Sequence, residues 1–369
     1  MVFRVLVSGA GIGGLSAGLA LKRAGFDVTV FERHPELRTA GAGLNVWPNG
    51  VRALYSLGLR EEFDRTANLL DSYKTYASDG ELIGDEDLVA YCTRYGAPVT
   101  GVYRKDLSAL LAAALGAKNL RFEHEVVSVE QSADGVIAHF ANGRTEEGDL
   151  LVAADGVYSA IRNQIFGEKA FRTDEHVRWR GIFKVADAGI DPATEVDTIG
   201  DHGHLGWLPI GKGMAYWYAA GDGLETESQA LEYFGSWEGS LVPQVLRATD
   251  RSTIIRNELM DFAEPLESWV EGRVALLGDS AHPMLPGVAQ GANQALVDSA
   301  VLAQCLTDSQ DVAAALQTYQ EQRIDHVNEV VRVARSLFDY DEKLDEFHEV
   351  RNNPIFHHYA NTVEGLSAA

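Results

Sequence analysis

The feature that most constrains the fold is a glycine-rich segment near the N-terminus, Gly9-Ala10-Gly11-Ile12-Gly13-Gly14. It follows a short apolar run, Val2–Val7, which predicts a buried strand. It precedes Leu15–Ala24, which has the apolar spacing of a helix and stops at Gly25. A second run, Asp27–Glu32, completes a β-α-β unit of about 30 residues. The chain therefore begins with two predicted parallel strands joined by a crossover helix.

The glycine spacing has a chemical meaning in this position. Gly9 permits a tight turn, Gly11 lets the backbone approach a pyrophosphate, and Gly14 lets the helix pack closely on the strand. The start of the helix offers unpaired N–H groups to the phosphates. Glu32 stands 18 residues after Gly14, at the end of the second strand, where a carboxylate can accept hydrogen bonds from ribose hydroxyls. The segment predicts a dinucleotide site but does not distinguish NAD from FAD.

The remaining sequence divides into two kinds of pattern. Further strand patterns lie at 120–130, 136–141, 149–154 and 273–277, and helical patterns lie at 105–115, 291–306 and 312–338. From about 177 to 261, aromatic and polar residues alternate among glycines, which predicts an antiparallel sheet with one helix near 229–237. We predict a discontinuous first domain (1–72, 97–175, 265–340), an inserted domain (73–96, 176–264) and a C-terminal helical tail (341–369). The alternative is a single large α/β domain with a decorated edge.

Composition excludes several classes of protein. The 54 acidic and 31 basic residues give a net charge of −23, which disfavours nucleic acid and anionic membrane surfaces as partners. Two cysteines, Cys92 and Cys305, form neither a disulfide framework nor a metal cage and suit a reducing compartment. No apolar run reaches the roughly 18 residues of a membrane span. We expect a soluble cytoplasmic protein without a metal site, as a monomer or homodimer.

Three later segments place polar residues where a predicted strand passes into a helix. They are Tyr103–Leu107, Ala154–Arg162 and Leu276–Asn293. In the third, Asp279 follows a buried strand, where a carboxylate can hold a ribityl hydroxyl. A helix that begins near Gly291 can point its dipole at an electron-rich ring edge. This third segment favours FAD over NAD.

Together these motifs resemble a known family. The glycine fingerprint, the R-x-x-L of Arg104, the D-G-x-x-S-x-x-R of Asp155 and the G-D-x-A-H-P of Gly278 resemble the group A FAD-dependent aromatic hydroxylases. These monooxygenases have the p-hydroxybenzoate hydroxylase fold and include salicylate, 3-hydroxybenzoate and urate hydroxylases. The resemblance implies an α/β fold, with a Rossmann-like GR2-type FAD-binding domain, an inserted antiparallel-sheet substrate domain and C-terminal helices.

The resemblance also implies the cofactors and the residues that hold them. FAD would be bound, and NADH or NADPH would visit transiently as reductant. The pyrophosphate would lie on the glycine turn, the ribose on Glu32, and the phosphate–ribityl region against Arg104 and Asp279. The implied cofactor-binding residues are Gly9, Gly11, Gly13, Gly14, Glu32, Arg33, Gly43, Arg104, Asp155, Arg162, Gly278, Asp279, Gly291 and Asn293.

Some of these residues have simpler interpretations. Arg162 could cap carbonyls or pair with a surface acid instead of serving a cofactor. Asp155 and Asp279 could be helix N-caps without a ligand. His282 follows a strand end directly and is more simply a hydrogen-bonded structural histidine.

The residues expected to contact the substrate lie in the predicted inserted domain. Two predicted strands linked by the turn 211–213 can bring His204 and Tyr216 to one pocket above the flavin. Pro286 begins a loop that would lie over the ring. The urate and hydroxypyridine-carboxylate hydroxylases place an arginine where His204 stands. A sheet-packing histidine is an equally good interpretation of His204.

The resemblance implies a reaction in which a small electron-rich aromatic or heteroaromatic substrate is hydroxylated by molecular oxygen through a flavin C4a-hydroperoxide. The catalytic candidates are His204, Tyr216 and Pro286. Three alternatives stay open: an FAD-linked dehydrogenase or reductase without oxygen insertion, a flavin-dependent halogenase, and a nucleotide-binding sensor.

Overall fold

In the computed structural model, residues 3–38, 43–173 and 178–339 are described, with side chains up to residue 336. The predicted helical tail at 341–369 lies outside these residues. The strands of the first part are β1 (Arg4–Ser8), β2 (Asp27–Phe31), β3 (Gly43–Val46), β4 (Asn68–Leu69), β5 (Ser72–Ala77), β6 (Leu82–Asp87), β7 (Thr100–Tyr103), β8 (Leu120–Arg121), β9 (Val126–Gln131), β10 (Val136–Phe140), β11 (Thr145–Gly148) and β12 (Leu150–Ala153). The later strands are β13 (Phe171–Thr173), β14 (Arg178–Lys184), β15 (Thr194–Gly200), β16 (Gly203–Gly211), β17 (Met214–Gly221), β18 (Thr249–Asn257), β19 (Met260–Phe262), β20 (Val270–Glu271) and β21 (Val274–Leu276).

The α-helices lie between these strands and, at the end of the described chain, after them. They are α1 (Ile12–Arg23), α2 (Pro48–Ser56), α3 (Arg60–Thr66), α4 (Val89–Tyr95), α5 (Arg104–Leu115), α6 (Ala160–Phe166), α7 (Val185–Ala188), α8 (Glu227–Gly235), α9 (Val242–Ala248), α10 (Gly291–Asp308) and α11 (Val312–Asp339). Short 3-10 turns cover Gly278–Ser280 and Pro286–Val288.

The first domain is built on a six-stranded sheet in the order β20-β21-β12-β1-β2-β8. Strands β21, β12, β1, β2 and β8 run parallel, and their apolar side chains are buried. Helix α1 packs with α5 and α10 against the sheet, and strands β10 and β11 contact β12 and β1. Their carboxyl ends therefore meet at one edge, which is where ligands bind in sheets of this kind. The predicted βαβ unit is confirmed, with bounds shifted by one to three residues.

One predicted strand is interrupted. The pattern at 120–130 forms two strands, of which β8 joins the parallel sheet and β9 joins a separate three-stranded sheet with β10 and β11. Between them Glu123 has a φ of +57°, which turns the chain out of extended geometry. The apolar pattern continues through this bend because both β8 and β9 bury apolar residues, so the sequence predicted a single strand.

The inserted domain is a seven-stranded sheet in the order β18-β14-β17-β16-β15-β5-β6. One face is covered by α8 and α9, and Trp207 and Trp217 are fully buried beneath them. The prediction contained one helix here, near 229–237, and α8 lies two residues earlier, capped by Thr226 and Gln229. Helix α9 was missed because it has only seven residues, too few for an apolar period to emerge.

The opposite face of this sheet packs on the first domain through a close joint. A β-carbon added at Gly101 of β7 would lie 2.0 Å from the carbonyl oxygen of Pro209 on β16. Asn45 Nδ2 donates to Glu195 Oε2 at 2.6 Å, and Lys212 Nζ lies 2.8 Å from Asp106 Oδ2. Backbone contact and polar links thus fix the sheet against the crevice of the first domain.

This joint predicts the effect of a single methyl group. Gly101→Ala should destabilise the protein by about 1–3 kcal/mol, because β7 and β16 must separate to accept the β-carbon. Gly235→Ala is a matched control, since a β-carbon there meets no atom within 4 Å and the residue ends helix α8. Denaturant unfolding of both variants measures the difference, and equal stability of the two proteins would contradict the close joint.

Candidate active site

The turn between β1 and α1 is tightly packed at Gly9 and Gly14 and borders open space at Gly11. Gly9 has a φ of +95°, and a β-carbon on it would lie 2.4 Å from the carbonyl oxygen of Ala154. A β-carbon on Gly14 would lie 1.9 Å from the oxygen of Gly9. Gly11, in contrast, faces space with no atom within 4 Å. Gly9 and Gly14 are therefore required for packing, and Gly11 borders the open crevice.

Glu32 and Gly13 border the same turn. Glu32 is buried, and its carboxylate accepts hydrogen bonds from the N–H groups of Ala10 and His34, each at 3.0 Å. A β-carbon on Gly13 would lie 2.9 Å from Leu277 Cδ2, so this glycine serves contact with the segment after β21. Arg33 is exposed next to Glu32. The carboxylate of Glu32 is thus held rigidly at the end of β2.

Asp155 lies on the loop after β12 and Arg162 lies on helix α6, and the two side chains face different surroundings. Asp155 Oδ2 accepts from the N–H of Ala160 at 3.0 Å, whereas the buried Oδ1 has no hydrogen-bond partner among the described residues. Burial raises the pKa of Asp155. Arg162 is fully buried and donates to the carbonyl oxygens of Val157 at 2.9 Å and Ser280 at 3.3 Å. Arg162 therefore ties this loop to the loop of Asp279, and a direct cofactor contact by Arg162 stays a prediction.

Arg104 is the first residue of α5. Its side chain is exposed to solvent, yet desolvation by the surrounding protein lowers its pKa; Asp279 opposes this effect, and Arg38 and Arg180 reinforce it. Arg104 therefore lies near the exposed Asp279 and near Arg180 on β14 of the inserted sheet. A cleft with three arginines in an acidic protein is suited to bind a phosphorylated ligand.

The segment after β21 and the first turn of α10 carry four more predicted residues. Gly278 has a φ of +65°, Pro286 begins a 3-10 turn, and Gly291 begins α10, whose N-terminus has no side-chain cap. Asn293 Oδ1 accepts from the N–H of Trp47 at 3.0 Å, and its Nδ2 donates to the oxygens of Asn45 and Ala289 at 3.1 and 2.7 Å. Asn293 thus positions this segment against β3, and its direct contact with a cofactor stays a prediction.

The sheet face opposite α8 and α9 brings His204 and Tyr216 onto one surface. The Tyr218 ring lies between them, with centroids 6.1 Å from His204 and 5.7 Å from Tyr216. Tyr216 packs against Gly43, where a β-carbon would come within 2.2 Å of the ring. The expected alternation holds, since Trp207 and Trp217 point to the other face.

Sequence reasoning missed the acidic residues of this surface. Asp197 is fully buried, and its Oδ1 lies 3.3 Å from His204 Nδ1 while Oδ2 accepts from the Tyr73 hydroxyl at 3.5 Å. Glu195, two residues earlier on β15, is also buried and binds Asn45. Two acids at alternate positions of one strand were a signal in the sequence, because they must share one face.

No helix in the described part of the chain has the length and apolar character to cross a bilayer. Within those same residues, no group of histidine, cysteine, aspartate or glutamate side chains is arranged to hold a metal ion.

A family model described as "FAD binding domain" matches residues 3–334. The chain belongs to the FAD-dependent aromatic hydroxylases. Among curated proteins, it is 34% identical over 334 residues to aurachin C monooxygenase/isomerase of Stigmatella aurantiaca, which covers 89% of this chain and 86% of the relative. It is also 34% identical over 348 residues to the FAD-dependent urate hydroxylase of Klebsiella pneumoniae, covering 91% and 90%.

Solved structures agree with this assignment. Klebsiella pneumoniae HpxO complexed with FAD and uric acid has a TM-score of 0.89 and 31% identity, over 98% of this chain and 96% of that one. The 2-methyl-3-hydroxypyridine-5-carboxylic acid oxygenase has a TM-score of 0.84 and 25% identity, over the same shares. The predicted fold class of this hydroxylase is therefore confirmed.

The residues present in this hydroxylase fit FAD. Gly11 borders open space at the uncapped N-terminus of α1, where a pyrophosphate can accept backbone N–H groups. Glu32 offers a fixed carboxylate to a ribose, and Asp155 Oδ1 is a buried oxygen without a hydrogen-bond partner in the described structure. Arg104 and Asp279 supply a cation and an acceptor further along the cleft.

The two kinds of glycine predict two kinds of variant. Gly11→Ala should leave the unfolding free energy of the FAD-free protein within about 0.5 kcal/mol, yet weaken FAD binding about tenfold or more, because its methyl group enters the open crevice. Gly14→Ala should lower stability itself by about 1–3 kcal/mol, because its methyl group meets Gly9. Thermal unfolding and FAD fluorescence titration measure the two effects, and similar stability losses in both variants would refute this division.

A second prediction concerns acid sensitivity. Burial, reinforced by Arg323, lowers the pKa of His326 to about 4, below its usual value of 6.5. Between these pH values the unfolded chain binds a proton that the folded protein excludes. The contribution of neutral His326 is therefore complete above pH 6.5 and is lost as the pH falls towards 4, by roughly 3 kcal/mol in total.

Comparing how the stability of two variants depends on pH isolates the contribution of His326. His326→Gln should lose stability less steeply than the parent protein between pH 7 and pH 4 in denaturant unfolding. His202→Gln, at an exposed position, should keep the parent slope. Identical slopes for all three proteins would show that His326 does not stay neutral in the folded state.

Proposed function

We propose that this hydroxylase uses NADH or NADPH and molecular oxygen to hydroxylate a small phenol or a nitrogen heterocycle. The balanced reaction consumes the substrate, dioxygen, NAD(P)H and a proton, and it yields the hydroxylated product, water and NAD(P)⁺. Relatives named for urate and for 3-amino-4-hydroxybenzoate support this class of substrate. The observation that carries the proposal is the His204–Asp197 pair, which lies on a sheet face fixed against the FAD crevice.

Bound FAD would supply the transfer of electrons from the nicotinamide to dioxygen. The glycine turn, Glu32, Arg104 and Asp279 would hold it, and the segment that begins at Pro286 would cover its reacting end. Ala289 of that segment packs with Trp47 and Tyr216 in one apolar cluster. This apolar cluster would limit the entry of water between the segment and the sheet, as productive oxygen insertion requires.

His204 would handle the substrate proton. In the neutral ring, donation from Nδ1–H to Asp197 leaves Nε2 as the acceptor nitrogen. We assign Nε2 the role of taking the proton from a substrate hydroxyl or ring N–H as the ring becomes more electron-rich. Asp197 would then stabilise the charged imidazole, because its carboxylate is buried 3.3 Å away. Tyr216 would orient the substrate from the neighbouring strand.

The acids on β15 narrow the substrate class. Glu195 and Asp197 bring buried carboxylates to this surface, which favours a ligand that donates hydrogen bonds over one that presents a carboxylate at the same place. Arg180 stands in the same cross-strand row as Asp197, with Tyr218 and Gly206 between them. A substrate along this row would meet an acid at one end and a cation near the FAD cleft at the other.

The direct test separates oxygen insertion from simple oxidation. Purified FAD-loaded protein is reduced with NADH or NADPH under anaerobic conditions and then exposed to isotopically labelled dioxygen with a panel of phenols and N–H heterocycles. Substrate-stimulated NAD(P)H oxidation with one labelled oxygen in the product is expected. Product that forms without label would assign the protein to the FAD-linked dehydrogenases, and a protein that takes up no FAD would end the proposal.

Variants of the pair test its role. His204→Asn should lower turnover of a phenolic substrate about 100-fold or more, because the proton acceptor is lost. Asp197→Asn should also lower turnover and shift its pH profile, because the charged imidazole loses its partner. His202→Asn is the control on the adjoining turn. FAD affinity should match the parent protein in all three variants, and full turnover in His204→Asn would exclude the histidine from the chemistry.

A further inference from the structure

A single buried carboxylate on α10 is bonded to the segment that follows β21. Asp298 is fully buried, and its Oδ2 accepts from the N–H of Gly278 at 3.2 Å and from His282 Nε2 at 2.6 Å. Its Oδ1 accepts from Arg323 Nε at 2.8 Å. Burial alone would raise the pKa of Asp298, but His282 and Arg323 outweigh burial and hold this pKa below its usual range. The carboxylate is therefore ionised and bonded on both oxygens.

The same group reaches the far end of that segment through a chain of buried side chains. Arg323 donates from a terminal nitrogen to Gln294 Oε1 at 2.6 Å, and Gln294 Nε2 donates to Gln290 Oε1 at 2.9 Å. Asn49 Nδ2 donates to the same oxygen of Gln290 at 2.9 Å. Gln290 is the residue before α10 begins. One carboxylate thus contacts the start of the segment directly and its end through Arg323.

The residues between these ends include exposed Asp279, Pro286 and a strained position. Ala289 has a φ of +52°, in the left-handed region that favours glycine. Such a conformation persists in an alanine only when surrounding contacts enforce it. The segment is therefore held at both ends and contains strain that those contacts balance.

We propose that Asp298 and Arg323 are positioning residues for hydroxylation, which fix the segment of Asp279 and Pro286 through His282 at one end and through Gln294 and Gln290 at the other. The inference rests on the proposed function, because it takes this segment to cover the reacting end of FAD. A segment released from either end would admit water. The reduced enzyme would then pass its electrons to dioxygen without substrate, so that NAD(P)H, a proton and dioxygen yield NAD(P)⁺ and hydrogen peroxide.

The experiment compares three variants as FAD-loaded proteins. Asp298→Asn disrupts both the bonds to Gly278 and His282 and the link through Arg323 to Gln290. Gln294→Met removes only the link to Gln290 and keeps a side chain of similar length. Asp261→Asn is the matched control, since Asp261 is a fully buried carboxylate of the same protein that lies 2.5 Å from Arg335 Nε. Amide hydrogen exchange is followed for peptides that cover 278–285 and 286–293, together with thermal unfolding and peroxide release per NAD(P)H consumed.

Asp298→Asn should raise exchange in both peptides roughly tenfold, the factor that corresponds to loss of one buried hydrogen bond. Gln294→Met should raise it only in the 286–293 peptide. Both variants should release more peroxide, whereas Asp261→Asn should lose stability with neither change. If Asp298→Asn fails to fold, the comparison of Gln294→Met with Asp261→Asn carries the test.

Equal exchange in the Asp298→Asn and Asp261→Asn proteins would overturn the proposal, because Asp298 would then contribute only to general stability. Faster exchange without more peroxide would overturn the link from this segment to coupling. The hydrogen exchange does not depend on a hydroxylation substrate. A failed proposal for the reaction would therefore appear as absent oxygen insertion in the parent protein, with the exchange pattern intact.

Discussion

The contact between helix α1 and its neighbours is the constraint on which the rest of this hydroxylase depends. Gly9 and Gly14 bring the helix start against β1 and the end of β12, and Gly13 admits Leu277. A buried hydrogen bond of 2.7 Å between Ser16 and Ser299 continues this contact along α10. Because these elements approach so closely, the ends of β1, β12 and β21 and the start of α10 border one crevice. A longer side chain at these positions would separate the residues that are to share one cofactor.

Much of the fold could be predicted because its signals are local. The βαβ unit, the return to a parallel strand at Val274–Leu276 and the long helices α10 and α11 each have a periodic apolar pattern of their own. The two errors have different causes. The bend at Glu123 moves the chain from one sheet to another without interrupting the apolar pattern, and α9 is too short for a pattern to emerge.

The candidate site was less predictable, because its contacts join distant parts of the chain. The face shared by His204 and Tyr216 follows from strand alternation, which the sequence displays. The partners of that face, Asp197 across the strand pair and Asn45 in the other domain, depend on register and domain packing. For Arg162 the sequence left two roles open, a cofactor contact and the capping of carbonyls, and only the structure shows its donors on the carbonyl oxygens of Val157 and Ser280.

The close approach of Gly101 to Pro209 has a consequence for how such enzymes diversify. Strand β7 belongs to the first domain along the chain, but its backbone touches the inserted sheet too tightly for the two surfaces to vary independently. If the inserted sheet of a relative replaced this one, its backbone surface beside Gly101 would have a different shape. In this fold, strand β7 and the inserted sheet must therefore change together during evolution. Recombination that separates them would join two surfaces that do not fit.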